Sequence, residues 1–332
     1  MCIPNDHPVA LLGFPDAGNC SDHATWLGET KLLAELGLPI TCRASAQSYQ
    51  RASLAAKIGE GTILLHGGYF GGHSLDREFQ LRVLQDFSNR TIFLPQHVSS
   101  GDRDVERVTT VIAKHPDVTL FAASGAAREM FGRYLGAKQR VEMAPDAAFL
   151  LGRQARPREP LYDILWLART DRRQKNNQAE VAARLLSQAA EKSVLPRFSD
   201  GIEISLVVKQ RPPTVMLTDW SSLVFENQEA RLAYHSLDFD ARAQAFVDRA
   251  LYILSLGRIV ITDRLRAHIL CLLLGIPHIL IDDDSGKNRD FYESWSSATN
   301  LCLLAANPAE AWTLARNALP KLKEGSNPDW LW

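Results

Sequence analysis

The sequence has no cysteine framework. Its five cysteines, Cys2, Cys20, Cys42, Cys271 and Cys302, are odd in number and scattered, with no Cys-x-x-Cys pair. That argues against a zinc ribbon or a disulfide-stapled fold and fits reduced thiols in a cytoplasmic protein. Charge imbalance is missing too: 37 Lys and Arg face 38 Asp and Glu, a net charge of -1, and nothing in that balance marks a nucleic-acid partner. No apolar run approaches the roughly 18 residues of a membrane span. The opening Met1-Cys-Ile-Pro-Asn-Asp-His7 lacks the basic stretch and apolar run of a signal peptide. There is no G-x-G-x-x-G fingerprint of a dinucleotide site, no internal repeat and no low-complexity tract. What is present is a globular composition: 332 residues, 46% hydrophobic and 23% charged, enough for two domains that each bury a core.

Short apolar runs alternate with amphipathic stretches along the chain. Val9–Phe14, Ile40–Arg43, 62–65, Thr91–Leu94, Val118–Ala122 and 141–146 read as strands, with helices between them over 46–58 (capped by Ser45), 79–87 and 104–114. The segment 153–160, basic and carrying two prolines, reads as a linker. Beyond it, strands are expected from Tyr162 and over 215–219, 259–261, 279–281 and 301–304. Helices are expected over 178–190, 241–256 and 308–319, the last stopped by Pro320. Such alternation gives an α/β fold of two Rossmann-like domains, 1–152 and 161–332, each a parallel sheet with helices on both faces.

Chemistry concentrates between Arg258 and Lys287. Ile259–Ile261 is a strand, Thr262 or Asp263 can cap the following helix, and Gly275 with Pro277 ends it before the strand Ile279–Ile281. Arg264 falls in the first helical turn, where free N–H groups favour an anion. His268 is four residues on and shares its face. Lys287 follows the next strand, on the same sheet edge. Either these residues make a site for a small phosphorylated acid, or Arg264 and Lys287 are solvated charges and His268 is packing.

Other turns offer further candidates. Asn19 and Asp22 lie in a polar turn after the first strand, serving either a ligand or a helix cap. Gly67, Gly68 and His73 belong to His66-Gly-Gly-Tyr-Phe-Gly-Gly-His73, where glycines let backbone amides approach a ligand. Arg169 leaves the first strand of the second half, either toward a ligand or to pair with Asp171.

The segments Thr262-Asp-Arg-Leu265, Ala267-His-Ile-Leu270 and Leu273-Leu-Gly-Ile-Pro-His-Ile279, followed by Asp284-Ser-Gly-Lys-Asn288, closely resemble the polysaccharide pyruvyl transferase family. Further matches are Gln96 in its turn, the strand ending in Pro145-Asp146, and Arg169-Thr-Asp171. The resemblance implies a GT-B-like arrangement of two Rossmann-like domains, with ligands in the crevice between them and the glycine loop facing the Arg264 turn. It implies phosphoenolpyruvate as donor, and as acceptor a hexose of an exopolysaccharide or its lipid-linked precursor. The product would be a cyclic pyruvate ketal. On this reading Arg264 and Lys287 hold the donor, with Gly67, Gly68 and His73 beside it, and His268 gives the proton. Asn19, Asp22, Gln96 and Arg169 line the cleft or acceptor side. No cofactor or metal is called for. The expected place is the cytoplasm, with association at the inner membrane face left open, as is the oligomeric state. Three positions depart from the family pattern: Gly72 stands for an acid, Ala123 for an arginine and Arg266 for a histidine. They leave a second reading, a catalytically altered or inactive homologue that binds a sugar or anion in polysaccharide assembly.

Overall fold

β-Branched and leucine-rich runs form strands buried on both faces, as parallel sheets require. The structure is a computed structural model that describes residues 3, 7–16, 20–70, 74–98, 103–135, 139–169, 178–189, 197–199, 202–208, 213–220, 236–283 and 285–323. The chain divides into two units, Met1–Ala17 with Asp22–Leu151, and Gly18–Ser21 with Gly152–Trp332.

In the first unit the elements run β1 (Val9–Phe14), α1 (Cys20–Glu35), β2 (Ile40–Ser45), α2 (Arg51–Ile58), β3 (Thr62–Leu65), β4 (Gly68–Tyr69), α3 (Ser74–Asp86), β5 (Thr91–His97), α4 (Arg103–Lys114), β6 (Val118–Ala122), α5 (Gly125–Tyr134) and β7 (Arg140–Met143). The sheet order is β2-β1-β3-β5-β6-β7, with β4 beside β5, and every pairing is parallel. The core includes Leu12, Ile63, Phe70, Phe93, Leu120 and Phe131.

The second unit contains β8 (Tyr162–Leu167), α6 (Gln178–Ala189), β9 (Arg197–Ser199), β10 (Ile202–Val208), β11 (Val215–Thr218), α7 (Phe239–Ser255), β12 (Gly257–Thr262), α8 (Leu265–Leu274), β13 (His278–Ile281), α9 (Lys287–Phe291), β14 (Cys302–Ala305) and α10 (Pro308–Lys323). A single π-helical turn, Tyr292–Ser296, prolongs α9. The order is β14-β13-β12-β8-β11-β10-β9. Trp166 stacks on Trp312 in its core at 6.3 Å between ring centroids.

Four local expectations need correction. The second sheet is not wholly parallel: β9 and β10 pair antiparallel at one edge. Ser45 does not cap a helix from 46; its hydroxyl accepts the N–H groups of Gln47 and Ser48 in a local turn, the competing bond such residues offer, and α2 starts at Arg51. Pro320 does not stop the last helix, which runs to Lys323. The glycine stretch after β3 is partly strand, since Gly68 and Tyr69 pair with Gln96 and His97. Gly275, by contrast, ends α8 in the left-handed region at φ 65°, as read from the sequence. No helix among the described residues is long and apolar enough to cross a membrane.

Candidate functional site

In doubly wound sheets ligands bind at the carboxyl ends of strands, where the winding reverses. In the second unit the chain winds from β8 to β11 on one side and then returns to place β12, β13 and β14 on the other. The reversal lies between β8 and β12, which are parallel neighbours, with Thr262 opposite Leu167. Their exits carry Arg169, Asp263 and Arg264. The exits of the flanking parallel strands β11 and β13 carry Asp219 and the Asp283–Lys287 turn.

These groups are held tightly. Arg264 is 6% exposed, and its guanidinium Nη2 donates to Asp219 Oδ1, which also accepts the Trp220 N–H at 2.8 Å. The Trp220 ring lies 6.0 Å from the Arg264 guanidinium. The backbone N–H of Arg264 donates to the Thr262 hydroxyl at 3.1 Å, and Arg264 itself stands at the cap position of α8. Asp263 Oδ1 accepts the Arg169 N–H at 3.2 Å. Asn288 clamps the edge, donating to Asp263 O and Ile281 O at 2.9 Å each. Lys287 Nζ pairs with Asp283 Oδ2 at 2.7 Å, and Asp283 Oδ1 also accepts the Ser285 hydroxyl at 2.7 Å.

Burial pushes the Asp263 carboxyl up, against the pull of Arg264 and Arg169. Burial lowers Lys287, with Asp283 opposing and Arg169 adding to the fall. For Asp283 burial acts upward, but the Lys287 ammonium and the hydrogen bonds around it bring the net result below the ordinary carboxylate value. Polar atoms at this edge that are buried without a hydrogen-bond partner among the described residues include Arg264 Nε, Arg169 Nε, Trp220 Nε1, Asp263 Oδ2 and Asn288 Oδ1. Buried polar groups are nearly always paired, so the two open guanidinium donors suit an acceptor such as an anion, while the open Asp263 oxygen calls for a donor or a proton of its own.

His268 is elsewhere than expected. It is fully buried. Its Nδ1 lies 2.7 Å from His278 Nε2, and its Nε2 lies 2.8 Å from Ser296 Oγ. Burial, and after it His278, hold it well below the usual imidazole value. A neutral, enclosed ring with both nitrogens engaged is placed to brace α8, not to hand a proton to a substrate. The sequence spacing put it on the Arg264 face but could not show which way that face turns.

The first unit has its own arrangement at the reversal between β1 and β3. Glu29 of α1 is fully buried. Its Oε2 lies 2.6 Å from His66 Nδ1, and its Oε1 accepts the Gly67 N–H at 2.7 Å. A Cβ on Gly67 would meet Pro95 O at 2.8 Å, so only glycine fits this close approach. Gln96 Nε2 donates to His66 O at 3.0 Å and Leu94 O at 2.7 Å, so the amide serves backbone here. Next to it, His97 Nε2 lies 3.2 Å from Asp146 Oδ2, while Asp146 Oδ1 accepts the Thr25 hydroxyl at 2.8 Å. These are two carboxylate-oriented imidazoles on neighbouring strands.

Of the other expected residues, Gly68 lies in β4 and Asp22 in the first turn of α1, half-buried. Asn19, Gly72 and His73 fall outside the described residues. Ala123 is buried, its N–H on Gln96 O at 2.8 Å, and Arg266 is half-buried one residue into α8. Glu29, His97 and Asp219 carry no sequence signal of a site, and His66 and Asp263, though inside the motifs, read only as loop and cap. His97 directly adjoins Gln96. Glu29 sits mid-helix and Asp219 on a distant strand, and neither is announced by spacing.

The family model for polysaccharide pyruvyl transferase matches residues 22–285. The chain is 31% identical over 306 residues to pyruvyl transferase 1 of Schizosaccharomyces pombe, covering 86% of this chain and 69% of that one. It is 23% identical over 302 residues to EpsO of Bacillus subtilis, named as a pyruvyl transferase, covering 88% and 87% of the two chains. Among solved structures, its fold is similar to a Klebsiella pneumoniae protein of uncharacterized function, with a TM-score of 0.55 at 16% identity, covering 90% of this chain and 93% of that one. It is also similar to a Listeria monocytogenes protein named as a UDP-N-acetylglucosamine 2-epimerase, with a TM-score of 0.53 at 11% identity, covering 97% and 90%. These likenesses agree with the α/β class of two Rossmann-like, GT-B-type units read from the sequence. With a family model spanning most of its length and a relative above 30% identity, the chain belongs to the polysaccharide pyruvyl transferase family.

Proposed function

We propose that the strand edge carrying Arg169, Asp263, Arg264 and Lys287 binds phosphoenolpyruvate, and that the protein transfers its three-carbon unit to two hydroxyls of a hexose. The acceptor would belong to an exopolysaccharide or its lipid-linked precursor, and the product is a cyclic pyruvate ketal. The observation that carries this reading is the set of unpartnered buried atoms, Arg169 Nε, Arg264 Nε and Asp263 Oδ2. The guanidinium donors and the Lys287 ammonium suit phosphate and carboxylate oxygens. Asp263, whose carboxyl burial favours in the protonated form, is the acid in place of His268. Its proton adds to the methylene carbon as the double-bond electrons leave C2, and the oxocarbenium-like centre takes a sugar hydroxyl. The phosphate C–O bond then breaks and the second hydroxyl closes the ring. Of the two hydroxyl protons, one makes up for the proton added to the methyl group and one leaves on phosphate. Acceptor binding at the first unit's sheet edge stays as an expectation from the family.

The test is phosphate release from phosphoenolpyruvate with candidate glycans, monitored alongside Arg169→Met and Lys287→Met. Loss of one hydrogen bond to a charged ligand costs about 1.5–3 kcal/mol, which raises KM roughly 10- to 100-fold. Asp263→Asn should lower kcat by about 10²–10⁴-fold while leaving phosphoenolpyruvate binding measurable by calorimetry. The replacements at Gly72, Ala123 and Arg266 favour the second reading, a binding component without turnover. Calorimetric binding with no phosphate release from any acceptor of the host's own polysaccharide would select it.

A further inference from the structure

One turn along α8 from the proposed donor site, within the second unit, α8, β13 and β14 bring three metal-ligating side chains together. His268 comes from α8, His278 from β13 and Cys302 from β14. His278 and Cys302 are directly opposite in the parallel register, so both project from the same face of the sheet. The donor atoms of all three residues lie within 4.8 Å of one another, and all three side chains are buried. We propose that His268 Nδ1, His278 Nε2 and Cys302 Sγ form a site for a thiophilic d¹⁰ cation, zinc in the first place, that ties α8 to β13 and β14.

The outer contacts are those a metal-bound imidazole uses, with its second nitrogen fixed by an oxygen. His278 Nδ1 lies 2.8 Å from Ile276 O. A carbonyl can only accept, so Nδ1 carries the proton and Nε2 presents its lone pair. His268 Nε2 has Ser296 Oγ at 2.8 Å. In the structure the inner edge is closed by a proton, with His268 Nδ1–H donating to His278 Nε2 at 2.7 Å. The ion replaces that proton. His268 then carries its hydrogen on Nε2 and donates to Ser296 Oγ, whose own hydrogen turns to Tyr292 O at 3.5 Å. Cys302 binds as thiolate, and one proton is released per ion. With Zn–N near 2.0–2.1 Å in a tetrahedral site, the two nitrogens stand about 3.3 Å apart, so the rings part by roughly 0.6 Å. Nitrogen and thiolate donors together select zinc over magnesium or calcium.

The full chain, purified without metal-affinity resin, should carry near-stoichiometric zinc by plasma mass spectrometry. Stripped and reloaded with Co²⁺, it should show a thiolate-to-cobalt charge-transfer band in the near ultraviolet. Cys302→Ser, checked for folding by circular dichroism, should lose the band. Ser296→Ala keeps every ligand and should weaken zinc binding about 10- to 100-fold. A wild-type protein that holds no zinc and gives no cobalt band would overturn the proposal. So would a band that survives Cys302→Ser.

Discussion

Removing the Arg264 side chain takes one cation away from the buried Asp219 carboxylate. The pair is nearly enclosed, with side chains 7% and 5% exposed. Breaking such a pair from one side costs about 3–5 kcal/mol. Arg264→Ala should therefore lower the unfolding free energy from urea titration by that amount, before any effect on turnover is considered. Arg264→Met combined with Asp219→Leu should recover most of the loss, because both halves of the buried pair are removed together. Loss of activity in the single variant must be read against this, which is why Arg169 is the cleaner probe of donor binding; Lys287 likewise holds a buried carboxylate, Asp283. The same scale shows why spacing says little about the surroundings of His268. Spacing of four residues from Arg264 is a true statement about one helix face. Whether that face meets solvent or a strand is set by β13, where His278 receives the ring.

At the scale of elements, α1 is held against the rest of its unit by an unusually close approach. A Cβ on Gly28 would come within 1.8 Å of Ala147 O, in the 3₁₀ turn Ala147–Leu151. Gly28→Ala forces helix and turn apart and should cost about 1–3 kcal/mol or more, measured by denaturant unfolding. One turn from Glu29 on the same helix, Thr25 reaches Asp146, so the displacement would also loosen both histidine–carboxylate pairs. Strand and helix existence was legible in the sequence nearly throughout, since buried parallel strands need continuous apolar runs and helices need their periodic stripe. Ends were less so. Ser45 bonded its own turn, and α10 carries Pro320 in its last turn at the loss of one intrahelical N–H bond.

At the scale of the whole molecule, acid should destabilise the fold through its buried histidines. His278 is pushed by burial from 6.5 to about 4, and His268 is lowered well below 6.5. Both are neutral when folded. Above pH 6.5 neither form of the chain gains a proton, and their contribution is flat. As pH falls below that value the unfolded chain takes up protons that the folded one refuses, and stability drops, for His278 until about pH 4. For His278 a shift of this size corresponds to ~3 kcal/mol at 1.36 kcal/mol per unit. In the metal-stripped protein, urea midpoints should decline between pH 6.5 and 4, and His278→Gln should flatten that decline. The core itself is tested by Trp166→Ala, which removes a fully buried ring and should cost about 3–5 kcal/mol.

The sequence by itself determined the α/β class, the order of most strands along the chain, the family and the neighbourhood of Arg264. These follow from local patterning, because apolar runs, caps and turn glycines act over a few residues. Tertiary structure alone decided that Asp219 neutralises Arg264, that Asp263 stands open beside Arg169, that Glu29 holds His66, and that His268 turns inward to His278. Those pairings join residues from 10 to 94 positions apart. Strand order and helix orientation bring them together, and neither quantity is encoded in the spacing of the groups themselves.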